Sequence, residues 1–221
     1  MRLDLHTHSK YSEDGEGEVL ELAKAVQKKG LNGMAITDHN TIKGSLEVLK
    51  LKLPNFLIIP GIEISTSEGH LLAYGVKTDI KGRLSPEETI DLIRDEGGIA
   101  VVAHPFRWRN GMKKRTLQDI KGKVQALEVF NSRGPAYKNT KANKTAREFG
   151  LGMTGGSDAH FVSDAGQGYT LVPDADNIDD VLSAIEKRET KGEGEITPLD
   201  SLLFHTIKVG YLFAKRGFKG I

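Results

Sequence analysis

The chain of 221 residues contains no cysteine, which removes disulfides and thiolate metal sites and fits a reducing cytoplasm. Long apolar runs are missing too, and none approaches the roughly 20 residues that a membrane-spanning helix needs. There is no charge excess: 31 Lys and Arg stand against 30 Asp and Glu, a net charge of +1. Nothing global therefore points to nucleic acid or to a membrane surface, and any basic patch has to be local. Glutamine is scarce, which beside many Lys and Glu suggests a heat-adapted source. No charged-then-apolar leader opens the chain, and no internal repeat or low-complexity tract interrupts it. What remains is 38% apolar and 28% charged residues, the composition of a soluble protein long enough to bury one substantial core.

Short apolar runs at 2–8, 33–38, 56–65, 70–76, 99–104, 126–131, 151–155 and 169–172 read as strands. Between them lie amphipathic stretches. Residues 18–29 place Val19, Leu22, Ala23 and Val26 on one face and stop at Gly30. Ser85-Pro86-Glu87-Glu88 opens another with an N-cap, a first-turn proline and an acidic first turn, and Gly97-Gly98 closes it. Residues 139–149 and 177–187 follow the same pattern. Strand–helix alternation predicts a parallel α/β architecture, best met by a small, imperfect barrel. After Lys187 a polar, glycine-bearing linker is expected over 190–195. A final helix from Pro198 to Gly217 carries Leu199, Leu203, Ile207, Tyr211 and Ala214 on one face, with His205 off it at the surface. The chain thus divides into a barrel over 1–189 and a linker plus helical extension over 190–221. The helix is expected to pack on the barrel or to join a second copy in a homo-oligomer, with a membrane-surface role set aside.

Chemistry-bearing residues gather at the strand ends. In DLHTHSKYSEDG an extended strand would project Asp4, His6 and His8 to one side. Asp38-His39 closes the second strand, Glu63 lies in the third, His70 opens the fourth, and His104 ends the fifth. GGSDAH supplies Asp158 and His160, again two apart. In a barrel of parallel strands these ends converge on one rim, where active sites are built. Mixed imidazoles and carboxylates suit zinc, manganese or iron, whereas calcium and magnesium favour oxygen alone. His6, His8, Asp14, His39, Glu63, His70, His104, Asp158 and His160 are too many ligands for one ion and enough for two or three divalent ions. Such clusters serve hydrolysis of phosphate esters.

In order along the chain, DLHTHSKYSEDG, AITDHNT, PGIEIS with GHLLAYG, AHP, EVFNSR and TGGSDAH resemble the PHP (polymerase and histidinol phosphatase) superfamily over about 1–172. The resemblance implies a distorted (β/α)7 barrel, here with an additional C-terminal helix, and up to three ions, usually manganese, zinc or iron. By position it assigns His6, His8, Glu63 and Asp158 to one ion. Glu63, His70 and His104 hold the second, with Glu63 bridging, and Asp14, His39 and His160 hold the third. The motifs look most like stand-alone phosphoesterases. Relatives acting on nucleotides often carry a helical insertion between the positions of His70 and His104, and this chain lacks it.

The expected activity is therefore hydrolysis of phosphate esters by a metal-activated hydroxide, with Asp158 and His160 catalytic and His160 assisting the leaving oxygen. The substrate is a phosphorylated small molecule or a nucleotide. Arg107 and Arg133, near the rim, suit bidentate phosphate binding, and Ser9 and Asn131 are further substrate contacts. Asp38 and Asp4 are expected to orient the imidazoles. Lys113-Lys114-Arg115 reads first as a solvated loop; with Trp108 and Arg109 it also suits a nucleic-acid patch. A nuclease or nucleotide phosphodiesterase is the second reading, and a non-catalytic metal-binding regulatory module the third.

Overall fold

Apolar runs set between capped, polar segments produce nine strands and seven helices among the described residues, 1–173 and 175–215 of this computed structural model. In chain order these are β1 (Arg2–Asp4), α1 (Val19–Lys28), β2 (Gly33–Ile36), α2 (Lys43–Leu49), β3 (Leu57–Thr66), β4 (Gly69–Tyr74), α3 (Pro86–Asp95), β5 (Ile99–Val102), α4 (Lys114–Ile120), β6 (Ala126–Asn131), α5 (Ala136–Phe149), β7 (Gly152–Gly156), β8 (Gly168–Leu171), α6 (Ile178–Glu186), β9 (Lys191–Gly194) and α7 (Leu199–Lys215). Local chemistry accounts for the best-defined helix starts. Ser85 and Glu88 form a reciprocal capping box ahead of α3, and the Asn177 side chain accepts from Asp180 N at the start of α6. α5 stops where Gly150 turns left-handed, with φ of 63°.

The strands form one sheet in the order β7-β6-β5-β4-β3-β2-β1-β8-β9. It curls into a near-closed, distorted barrel. Beyond β7 the chain runs parallel to the segment beyond β1: Asp158 N donates to His6 O at 2.7 Å and His8 N to Ala159 O at 2.8 Å. Only glycine fits that seam at Gly156, where a Cβ would lie 2.4 Å from the Cβ of His6. Strand alternation sorts the apolar residues. Leu3, Ala35, Ile59, Leu72, Val101 and Ala126 share a central cluster with Val181, Ala184 and Ile185 of α6. Their neighbours Met34, Ile36 and Ile58 pack outward on α1 and α2, while Ile62, Ile64, Leu71 and Val102 meet α3, α4 and α5. Each fully buried Leu or Ile contributes about 1.5–3 kcal/mol. Among the described residues no helix is long and apolar enough to cross a membrane.

Several expectations are corrected. The sheet is not all parallel: β1–β2, β2–β3, β5–β6 and β6–β7 are parallel, but β3–β4, β4–β5, β1–β8 and β8–β9 are antiparallel. Between β3 and β4 only Ser67 and Glu68 intervene, far fewer than the dozen or so residues a parallel crossover needs. β1 ends at Asp4, so His6 and His8 lie beyond it rather than within a strand over 2–8. The expected linker at 190–195 contains β9, paired antiparallel with β8. Its glycines serve close approach, since a Cβ on Gly192 would lie 2.3 Å from Thr154 O and one on Gly194 2.2 Å from Gln167 O. α2 and α4 were not expected; at 7 residues each they are too short to show a helical period. Lys114 and Arg115 open α4 and are not loop residues. In α7, Leu199, Leu203 and Ile207 are 81%, 61% and 64% exposed, and it is Lys208 that reaches the barrel, at Glu16 and over the Phe161 ring. The side chains of His205, Tyr211 and Ala214, and Gly217 altogether, lie outside the described residues.

Candidate metal centre

All nine expected ligand residues meet at one end of the barrel. His39 and His104 follow the ends of β2 and β5, Glu63 lies within the second half of β3, and His70 joins them because β4 runs back from the rim at which β3 ends. The Glu63 carboxylate is at the middle. Its Oε1 is 2.9 Å from both His70 Nδ1 and His104 Nε2; its Oε2 is 3.1 Å from His39 Nδ1, 3.2 Å from His8 Nε2 and 3.3 Å from His6 Nε2. Asp158 Oδ1 lies 3.4 Å from His8 Nε2 and 3.6 Å from His160 Nδ1. Asp14 Oδ2 is 3.0 Å from His160 Nε2 and 3.8 Å from His39 Nε2. His104 and Asp158 have φ of 27° and 52°. This left-handed backbone costs on the order of 1–3 kcal/mol per residue and is held by surrounding structure. Here the hold comes from His104 N donating to Glu128 Oε2 and Asp158 N donating to His6 O, both at 2.7 Å.

Hydrogen-bond accounting shows that these residues fit a cation. Glu128 Oε1 accepts from His6 Nδ1 at 2.9 Å, so the Nε2 of a neutral His6 ring carries a bare lone pair. The Ser12 hydroxyl donates to Asp38 Oδ1 and accepts from His39 N, which leaves it to accept from His8 Nδ1 at 3.0 Å. His8 Nε2 is then bare as well, and the two Nε2 atoms are 3.2 Å apart. Lone pairs that close need a positive charge between them. Buried Asp14 Oδ1, His39 Nδ1, Glu63 Oε2 and His104 Nδ1 have no hydrogen-bond partner among the described residues, although buried polar atoms are nearly always paired. Four groups have one donor atom per residue within 4.8 Å of one another: His8, Asp14, His39 and His160; His6, His8 and Asp158; His6, Glu63 and His104; and His39, Glu63 and His70. Residues shared between groups fit a di- or trinuclear centre.

Electrostatics follow the same crowding. Burial opposes the charge on His6, but Glu128, Asp158 and Glu63 outweigh it and raise its pKa well above the usual imidazole value. Burial opposes the charge on His8 as well, but the neighbouring carboxylates of Asp158 and Glu63 outweigh it and raise its pKa to about 9. Burial opposes ionisation of Glu63, yet His39, His6 and His70 hold its carboxyl well below the carboxylate range. Asp158 is held low too, by Arg107 and His6 against its burial. Burial lowers His39 to about 3, and burial with His8 and Arg133 lowers His160. A neutral His160 is a better ligand than proton donor.

Among the other expected site residues, Arg107 donates to Asp158 Oδ2 at 2.8 Å and Arg133 Nη1 to His160 Nδ1, both beside the centre. Ser9, expected as a substrate contact, is fully buried, and its hydroxyl donates to Asp38 Oδ2 at 2.8 Å. Asn131 is equally committed, its Nδ2 donating to Glu128 Oε2 and Asp158 Oδ2 and its Oδ1 accepting from Arg133 N. Asp38 acts on the His8 ring through Ser12 rather than on the ring of neighbouring His39. Asp4 accepts from the backbone of His6, Ser157 and Gly166 and touches neither imidazole ring. Sequence pointed neither to Glu128 and Ser12, which hold the His6 and His8 rings, nor to Asn110, which lines the same cleft as the ligands. Glu128 left a signal, an acid inside the apolar run ALEVF that turns out 1% exposed; Ser12 and Asn110 left none.

A distorted α/β barrel with a polynuclear set of imidazoles and carboxylates at one end defines a class of metal-binding barrel proteins. The sequence model of the PHP domain matches residues 4–99, and that of the PHP-associated region, PHP_C, matches 136–190. The chain belongs to the PHP family. It is 35% identical over 161 residues to the uncharacterized protein MJ1587 of Methanocaldococcus jannaschii, covering 67% of this chain and 93% of that protein. Among solved structures, a two-domain protein of Bacteroides vulgatus described as containing a predicted PHP-like metal-dependent phosphoesterase superposes with a TM-score of 0.74. It is 16% identical, over 94% of this chain and 69% of that one. PsfC from Pseudomonas syringae gives a TM-score of 0.72 at 18% identity, over 96% and 98%. At these identities the two structures show a shared fold.

Proposed function

We propose that the chain is a metal-dependent phosphoesterase, using two or three manganese, zinc or iron ions to hydrolyse phosphate esters. The observation that carries this reading is one cleft of about 170 Å³ that gathers Asp14, His39, Glu63, His70, His104, Asp158 and His160 with the cations Arg107 and Arg133. His6, His8, Glu63 and Asp158 would hold one ion, Glu63, His70 and His104 a second, and Asp14, His39 and His160 a third. Divalent ions bound there supply Lewis acidity toward phosphoryl oxygens and acidify water for attack on phosphorus. The chain's own groups do the rest. Arg107, partly exposed and tied to Asp158, presents a fixed guanidinium face to an incoming phosphate, and Arg133 presents a second from beside His160. Preorganised donors of this kind stabilise charge gathering on the phosphoryl oxygens. Glu128, Ser12 and Asn131 hold the ligands in place.

The test is hydrolysis of an aryl phosphate by the manganese-loaded protein, before and after chelation. Turnover that disappears with the metal and returns on reloading is expected. A protein shown to be metal-loaded that cleaves no phosphate ester, aryl or nucleotide, refutes the proposal. His8→Ala, still folded, is expected to be inactive.

A further inference from the structure

The balanced charge of the whole chain hides a strong local asymmetry. Residues 104–147 hold 12 of its 31 Lys and Arg but only 2 of its 30 Asp and Glu, so the remainder is net acidic. This segment is one sector of the barrel, the loop after β5 through α5. Its rim carries the chain's single tryptophan, Trp108, which is 96% exposed, with Tyr137 also exposed at the start of α5. Large aromatic side chains are seldom left so bare.

Two depressions lead away from the metal cleft on this sector. A groove of about 330 Å³ shares His70 and Asn110 with the metal cleft and is walled by Trp108, Arg109 and Lys113. Its one acid, Glu68, receives the Thr116 hydroxyl at 2.6 Å. On the other side Arg107 is shared with a narrow cleft bordered by Lys138, and Lys141 Nζ sits 4.1 Å above the ring of Phe106. Whereas Lys114 pairs with Glu148, no ion pair engages Arg109, Lys113, Lys138 or Lys141 among the described residues. A small phosphate monoester would touch only the central cleft and would leave these cations and Trp108 without a role.

We infer that this sector binds single-stranded nucleic acid, leading a strand across the metal centre with a base stacked on Trp108 and flanking phosphates on Arg109, Lys113, Lys138 and Lys141. Stacking on an aromatic face beside a cationic groove tolerates any sequence, because every base has a π-face. Inside a duplex the π-faces are covered by the neighbouring base pairs, so an interior base reaches Trp108 only from an unstacked, single strand. The chemistry rests on the phosphoesterase reading: water adds across a P–O ester bond, its oxygen remaining on phosphorus and its proton ending on the departing sugar oxygen.

Binding can be measured apart from cleavage. A single-stranded oligonucleotide is titrated into the metal-free protein while the fluorescence of Trp108, the only tryptophan, is followed. Quenching is expected, with log affinity falling against log salt with a slope of about −3 for four phosphates neutralised on a single strand. Trp108→Ala is expected to raise Kd about tenfold by anisotropy of a labelled strand. In the manganese-loaded protein it should lower kcat/KM for the oligonucleotide relative to that for an aryl phosphate. Absence of quenching, or a Kd indifferent to both salt and Trp108→Ala, overturns the inference. Should aryl phosphate still be hydrolysed in that case, the phosphoesterase reading stands and only the strand is lost. Should the strand bind but no ester be cleaved, the reverse holds.

Discussion

Glu128→Gln is the sharpest probe of how this centre is held. The carboxylate has three donors to satisfy: His6 Nδ1 on Oε1, and His104 N and Asn131 Nδ2 on Oε2. A glutamine of the same shape has one oxygen and one NH₂, so its orientation is decided by counting. With the NH₂ toward His104 and Asn131, two buried donors face a third, each unsatisfied group costing about 1–3 kcal/mol. Turned the other way, the NH₂ faces only His6, which escapes by moving its proton from Nδ1 to Nε2. The second arrangement wins, and it places a proton on the nitrogen that faces His8, Glu63 and Asp158. The protein should therefore fold, with metal affinity reduced about ten- to a hundredfold, the usual effect of losing a carboxylate behind a ligating histidine. Calorimetric titration with manganese or zinc measures the affinity, and nitrogen NMR of the imidazoles reads the tautomer. A variant that binds metal as the parent does, with His6 still protonated at Nδ1, would refute the reasoning.

Other expectations follow from single contacts. Asp14→Asn should release one ion while the site built on His6 and His8 stays occupied, as elemental analysis of the purified protein would show. Arg107→Ala should lower kcat/KM for an aryl phosphate by about a hundredfold, the scale of losing one charge-stabilising donor, with steady-state kinetics as the check. Gly156→Ala should open the seam beside His6 and destabilise the barrel by about 1–3 kcal/mol, the usual range for overpacking, read by urea unfolding. Ser85→Ala removes the cap of α3 and should cost about 1 kcal/mol, visible as a lower thermal midpoint with metal binding unchanged.

The candidate ligands were legible because chemistry concentrates in short motifs. His6, His8 and Asp14 share the opening stretch of the chain, Asp158 and His160 share GGSDAH, and all nine candidates do meet. Residues defined by long-range contact were not legible. Glu128 lies 122 residues from His6 in the chain. Ser9 was read only as a substrate contact because nothing local reveals that Asp38 takes its hydroxyl. β9 was hidden by its glycines, which in sequence suggest flexibility and in the barrel permit backbones to touch.

Sequence alone determined the elements with strong local signals, the donor types, and the grouping of candidate ligands into motifs. Each depends on residues a few positions apart, where period, caps and side-chain chemistry act directly. The tertiary structure decided which strands run backward, and hence why His70 at the start of β4 reaches the same rim as Glu63 within β3. It also decided which hydroxyls and carboxylates lie behind the imidazoles, and that a chain of balanced charge turns one basic sector toward its metal cleft. Those outcomes depend on barrel closure, which sets distances between residues that the order of the chain leaves far apart.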